Sequence, residues 1–276
     1  MTVSSRKPET GPDVWQGANL KQDASWTYQF TESDIQELES ALRDCPAESD
    51  DLRAVTRETY PLPNLSATLA ELQRDVVKGR GFVLLTGLPV DRYSQLEAAT
   101  IYWAIGQYFG VPVSQNAAGH LLGHVKDVGD LKDGTERRAY QTSEALRYHT
   151  DSCDIVGLFC WRGAQAGGLS SIASAGAVHN AIGQKNPDLL DALYEPFAIS
   201  RIGEIPEGKL PWYMTPVFND FRDCMTCIYP ARDLRAAAVL SGAPRLTRRQ
   251  EEALELLDSV AEEFSLKMDF EPGDMQ

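Results

Sequence analysis

Residues 147–160 read RYHTDSCDIVGLFC, and within them His149 and Asp151 stand two apart. Along a β-strand, side chains two apart point to one face, so both could converge on a single point with Thr150 turned away. A neutral imidazole nitrogen beside a carboxylate oxygen is a donor set that suits Fe(II). A third, distant ligand would complete a face with positions left open for substrate and oxygen. Taken alone, so short a pattern also arises by chance, and a plain His149–Asp151 pair at a strand end accounts for it.

The other candidates for chemistry carry less. His120 and His124 in GHLLGHVKD are four apart, which would face one side of a helix, but Gly119, Gly123 and the alternation of LLGHVKDV predict loop and strand. His179 in AGAVHNAIG reads as a helix-surface residue. Cys224 and Cys227 form one C-x-x-C; a structural zinc site needs a second such pair or added histidines, and Cys45, Cys153 and Cys160 lack that spacing. All five cysteines read as free thiols, an odd count that fits a reducing compartment.

The elements that must position these residues change character along the chain. In the first half, Thr31 or Ser33 can cap a helix carrying Ile35, Leu38 and Leu42, and Ser66 can cap one carrying Leu69, Leu72 and Val76. GFVLLTGLP then reads as a buried strand, and SQLEAATIYWAIGQYFG as a helix from Ser94 to Gly110. In the second half, short apolar runs alternate with Gly, Asp and Asn turns: LLGHVKDV, DIVGLFCWR, LSSIAS, TPVFND, CMTCIYP and LKMDF. That spacing predicts a sandwich or barrel of short strands. Two helical insertions interrupt it, one from Ala175 through Tyr194 with a restart at NPD, and one opening on a Thr247/Gln250 capping box before Leu254, Leu257, Ala261 and Phe264.

A chain of 276 residues with 43% hydrophobic content can bury one large core. The expected organisation is a flexible N-terminal tail over 1–14 and a single domain over 15–276. A formal charge of -14 repels nucleic-acid phosphates and anionic membrane surfaces, so neither is an expected partner. No apolar run approaches the roughly 18 residues of a membrane span, and MTVSSRKPETGPD lacks a signal peptide's apolar stretch. The expected location is cytoplasmic; the oligomeric state is not legible.

Four stretches in order carry a family resemblance: GRGFVLLTGLP upstream, HTD at 149–151, GG-L-S at 167–170, and EPGDM at 271–275. Together they resemble the TauD/TfdA-like family of Fe(II)- and 2-oxoglutarate-dependent dioxygenases. The resemblance implies an α+β chain built on a double-stranded β-helix, or jelly roll, with peripheral helices. It implies that His149 and Asp151 bind the metal and that Ser170, just after the paired glycines, helps hold the 2-oxoglutarate carboxylate. The family often has Thr at that position. The activity implied is hydroxylation or oxidative cleavage of a small-molecule substrate by molecular oxygen, with 2-oxoglutarate converted to succinate and CO2. Family members oxidise sulfonates, aryloxyacids, betaines and amino acid derivatives, so the substrate stays open.

The pattern breaks at the end. The family's distal His follows the PGDM turn, with an Arg about ten residues later on the far carboxylate of 2-oxoglutarate. This sequence reads EPGDMQ to Gln276. Leu266, Met268 and Phe270 alternate as a half-buried strand, and Pro272-Gly273-Asp274 is a turn that needs something to return along. The expectation is a chain shortened relative to the family, with C-terminal core strands missing and turnover by residues 1–276 left open. Two rivals follow: a non-catalytic jelly-roll relative that binds a ligand or partner, and a zinc enzyme using His149, Asp151 and one remaining histidine.

Overall fold

The computed structural model describes residues 6–45, 51–115, 119–125, 146–164, 168–201, 205–222 and 224–276. In chain order the elements are α1 (Gly17–Leu20), β1 (Thr27–Gln29), α2 (Glu32–Arg43), α3 (Leu65–Lys78), β2 (Leu84–Thr86) and α4 (Gln95–Phe109). The order continues with β3 (Ser170–Ile172), α5 (Ala175–Lys185), α6 (Pro187–Leu193), β4 (Phe197–Ser200), β5 (Trp212–Thr215), β6 (Phe218–Phe221), β7 (Cys224–Cys227), α7 (Ala231–Ala237), α8 (Arg248–Phe264) and β8 (Leu266–Met268). Contacts gather these into two compact units. One holds residues 1–7, 113–152 and 181–262; the other holds 8–112, 153–180 and 263–276.

In the second of these units the helix starts follow from side chains that satisfy the first free N–H groups. Thr31 and Asp34 form a reciprocal capping box on α2, and Ser94 and Glu97 form one on α4. α3 differs from expectation: Ser66 does not cap it. The Glu37 carboxylate, reaching from α2, accepts the N–H groups of Asn64 at 2.8 Å and Leu65 at 3.1 Å. A negative charge at a helix N-terminus also opposes the helix dipole, so one residue of α2 both caps α3 and fixes its position. Leu38, Leu69 and Ile101, one from each of these three helices, are completely or almost completely buried. A second core lies around Phe82, where Trp15 and Trp26 pack at ring distances of 5.1 and 5.8 Å beside Leu20, Leu266 and Met268.

The strands of this unit pair as β1 with β2 in parallel and β3 with β8 antiparallel. The predicted turn at Pro272-Gly273-Asp274 does return along the sheet. Met275 bridges Leu85 on one side and Phe159 on the other, both antiparallel. The bonds run Leu85 N–H to Met275 O at 2.7 Å, Met275 N–H to Leu85 O at 2.8 Å, Leu158 N–H to Gln276 O at 2.8 Å and Cys160 N–H to Asp274 O at 2.9 Å. Gly273 makes the turn possible: its φ is +98°, and a Cβ there would lie 2.1 Å from the Leu88 carbonyl oxygen.

In the first unit all four residues of β4 are buried, covered by α7 and paired antiparallel with β5. β6 and β7 pair antiparallel from Phe218 with Cys227 to Phe221 with Cys224. Cys224 and Cys227 are three apart on β7 and so face opposite sides, which suits independent thiols. Arg6, in the stretch expected to be a loose tail, ion-pairs with Asp191 at 3.0 Å and stacks 3.3 Å over the Tyr194 ring. The predicted helix restart at NPD is capped by the Asn186 side chain, and the predicted Thr247/Gln250 capping box forms at the start of α8.

Among the described residues the sheets are four two-stranded pairs, smaller than the expected sandwich or barrel. The run DIVGLFCWR, predicted as a buried strand, is irregular and joins a ladder only at Phe159. Val156 and Leu158 are exposed, so the apolar run is not a fully buried wall. No described helix is long and apolar enough to cross a membrane.

Candidate metal centre

His149 and Asp151 belong to the first unit, on an irregular segment rather than on a strand. Their convergence therefore does not come from the two-residue repeat of a strand. It is nevertheless real: His149 Nε2 stands 3.9 Å from Asp151 Oδ1, with both side chains about half exposed. The other ring nitrogen, Nδ1, lies 2.7 Å from the Arg147 carbonyl oxygen. A carbonyl only accepts, so Nδ1 donates to it and Nε2 is the ring nitrogen that faces Asp151. A hydrogen bond that fixes the tautomer is the usual partner of a metal-binding imidazole.

The segment is held on both sides of His149. Thr150 N–H donates to the Tyr229 carbonyl at 3.0 Å, and Tyr229 N–H donates to Thr150 Oγ1 at 2.8 Å. Arg147 donates to Asp258 at 3.3 Å, and the Tyr148 hydroxyl donates to Glu262 at 2.8 Å. Asp258 also accepts the Tyr229 hydroxyl at 2.8 Å and Arg235 at 2.9 Å. Burial first, and the nearby Asp258 carboxylate with it, push the Tyr229 hydroxyl up to about 12 against the pull of Arg235, so it stays a donor at neutral pH. Sequence reading placed Thr150 away from the pair and stopped there. The sequence places Asp258 four residues after Leu254 and three before Ala261, along the apolar stripe of α8, but nothing in that spacing ties it to the 147–151 segment.

Ser170 belongs to the other unit, at the start of β3 opposite Met268, half-buried. Its hydroxyl donates to the Gln276 side-chain carbonyl. Gly168 takes a φ of +82°, as a tight turn before a strand requires; Gly167 lies outside the described residues. The other histidines do not join the pair. His120 and His124 are exposed in an irregular stretch, and part of the predicted strand LLGHVKDV lies outside the described residues. His179 is a correction: it is 1% exposed, on the inner face of α5. Among the described residues, no three His, Cys, Asp or Glu side chains lie close enough to share a metal.

The sequence as a whole identifies the chemistry. The profile of the taurine catabolism dioxygenase TauD, TfdA family matches residues 47–276. The chain belongs to this family. FR-33289 synthase of Streptomyces rubellomurinus is 30% identical over 278 residues, an alignment covering 98% of this chain and 81% of that protein. The taurine hydroxylase-like protein SAT17 of Stachybotrys chartarum is 29% identical over 277 residues, covering 95% and 70%. The fold matches that of asparagine oxygenase, solved with Fe(II), 3-hydroxyasparagine and succinate, at a TM-score of 0.64 and 20% identity over 91% of this chain and 83% of that one. It also matches the non-heme iron oxygenase OrfP, solved with Fe and alpha-ketoglutaric acid, at a TM-score of 0.58 and 13% identity over 90% and 83%. This TauD/TfdA protein is accordingly an Fe(II)- and 2-oxoglutarate-dependent dioxygenase, and its fold matches those of the two solved oxygenases.

The donor set of the pair fits that ion. An imidazole nitrogen and a carboxylate oxygen are two of the three ligands of a non-heme Fe(II) face. Two donors each about 2.1 Å from an ion in neighbouring octahedral positions stand about 3 Å apart. The 3.9 Å separation is wider than that, and the Asp151 side chain is about half exposed.

Proposed function

We propose that His149 Nε2 and an Asp151 carboxylate oxygen are two of the protein's ligands to Fe(II), and that the Ser170 hydroxyl helps hold the 2-oxoglutarate carboxylate. The architecture proposed is the family's double-stranded β-helix with peripheral helices, as one domain over 15–276, in a cytoplasmic protein. The reaction is oxidation of a small molecule, by hydroxylation or oxidative cleavage, with succinate and CO2 released. The observation carrying this reading is the fixed ring orientation: Nδ1 donates to the Arg147 carbonyl at 2.7 Å and leaves Nε2 facing Asp151.

When bound, Fe(II) and 2-oxoglutarate would supply the electrons that activate molecular oxygen, the oxidant, for attack on a substrate C–H bond. The chain's own residues hold and orient. The Arg147 carbonyl, accepting from Nδ1, keeps the imidazole turned so that Nε2 is the nitrogen presented beside Asp151. Thr150 keeps the backbone between the two side chains from sliding, through its two bonds to Tyr229. The half-exposed side chains of His149 and Asp151 leave an approach for a small molecule. In the solved relatives the bound molecules include hydroxylated asparagine and arginine, and a small polar substrate is the corresponding proposal here.

The test is oxygen-dependent succinate formation from 2-oxoglutarate by the protein loaded with Fe(II) under anaerobic conditions. Succinate that disappears in His149→Ala supports the reading. Binding of Fe(II) and 2-oxoglutarate without succinate favours the rival, a relative that binds ligand without turnover.

A further inference from the structure

Of the four residues from Arg147 to Thr150, all but His149 are tied by side chains to groups elsewhere in the first unit. Arg147 and Tyr148 reach two carboxylates one turn apart on α8, Asp258 and Glu262. Thr150 is latched by two bonds to the backbone of Tyr229. Tyr229 is itself 2% exposed, and its ring is fixed at the far end by the Asp258 Oδ1 acceptor at 2.8 Å. Arg235 closes the circuit, donating to Asp258 at 2.9 Å, to the Tyr229 hydroxyl at 3.2 Å and to the Ala231 carbonyl at 3.1 Å.

We propose that Asp258, acting through Tyr229 and Thr150, is a positioning residue that sets the spacing of His149 and Asp151 for Fe(II). This rests on the reading of His149 and Asp151 as metal ligands. The physical reason is that the two side chains sit on irregular backbone, where no strand geometry fixes their directions. Something else must order that backbone before a metal arrives. Otherwise ion binding bears the entropy of ordering it. A carboxylate only 20% exposed, taking three donors at once, is a rigid anchor for this purpose. Thr150 is the point of delivery because its neighbours on either side are the two ligands.

The proposal is tested by anaerobic Fe(II) titration of the full chain in the presence of 2-oxoglutarate, read by the visible charge-transfer band, at a temperature where circular dichroism shows every variant folded. Thr150→Val keeps the side-chain shape and removes the acceptor for Tyr229 N–H; its Fe(II) dissociation constant is expected to rise about 10- to 100-fold, the usual cost of losing an outer-shell partner. Thr150→Ser restores the oxygen and is expected to return most of that affinity. Tyr229→Phe, which deletes only the hydroxyl on Asp258, is expected to weaken Fe(II) in the same direction, and carries the comparison should Thr150→Val fail to fold. Wild-type Fe(II) affinity in folded Thr150→Val, or in Tyr229→Phe, overturns the proposal. His149→Ala in the same titration separates the two readings. If it binds Fe(II) normally, the ligand assignment fails; if it loses Fe(II) while Thr150→Val and Tyr229→Phe bind normally, only the positioning role fails.

Discussion

Leu85 and Met275 exchange both of their backbone hydrogen bonds, at 2.7 and 2.8 Å, and Met275 pairs on its other side with Phe159. Residues 274–276 are thus a ladder rung between β2 and the extended stretch 158–160, and Met275 is 3% exposed. Met275→Ala is expected to cost roughly 2–5 kcal/mol of stability by leaving a cavity in this position. Urea unfolding measures it; a loss under half a kcal/mol would show that the side chain is not part of the core.

Gly273 turns the chain into that rung. With φ at +98° and the Leu88 oxygen 2.1 Å from any added Cβ, Gly273→Ala meets both backbone strain and a collision with main chain that no side-chain rotation relieves. A fall in Tm of several degrees is expected, far beyond an exposed Gly to Ala change. An unchanged melting curve contradicts the geometry.

Asp274, in the same turn, is buried, and burial followed by repulsion from Glu271 raises its carboxyl pKa, against the hydrogen bond from Glu271 N–H. A raised carboxyl gives its full stabilisation below the unfolded-state pKa and loses it as pH rises through the folded value. At neutral pH the ionised group therefore opposes folding. Asp274→Asn keeps an acceptor for Glu271 N–H and cannot ionise, so its stability relative to wild type should improve from acid to neutral pH. Equal differences at both pH values in urea titrations would show that the shift is absent.

Ser94→Ala removes the side-chain acceptor from the capping box of α4 and is expected to cost about 1 kcal/mol. α4 also carries Tyr102, stacked 5.3 Å from Phe159 beside the Met275 rung, so the loss should appear as a shift of the whole cooperative transition. Hydrogen exchange that rises only in the first turn of α4 would contradict that coupling.

Ser170→Ala is expected to raise the KM for 2-oxoglutarate several-fold while Fe(II) affinity stays at the wild-type level, with Ser170→Thr close to wild type. Identical KM values for the alanine variant and the parent would remove Ser170 from the cosubstrate site.

Helix starts were the most legible part of the fold, because a cap is a local event: Thr31, Ser94 and Thr247 all act within three residues of themselves. α3 escaped because its cap, Glu37, lies on another helix. β4 was missed since Phe-Ala-Ile between Pro196 and Arg201 is too short a run to show a period, although all its residues are buried. DIVGLFCWR misled in the opposite direction: an apolar composition predicts burial, but the backbone finds ladder partners only near Phe159. At the candidate site, residue types pointed to His149 and Asp151, whose side chains stand 3.9 Å apart. The Arg147 carbonyl that accepts from Nδ1 is a backbone group, invisible to side-chain patterns. The Tyr229 and Asp258 anchors lie 79 and more residues downstream of Thr150, and no local period links them to it.

The ligand assignment is tested most directly by anaerobic Fe(II) titration with 2-oxoglutarate, following the visible charge-transfer band in the wild-type chain, His149→Ala and Asp151→Ala. The expected result is a saturable band in the wild type that is lost in both variants while their circular dichroism is unchanged. A band of wild-type affinity in either variant would contradict the assignment of that residue to the metal.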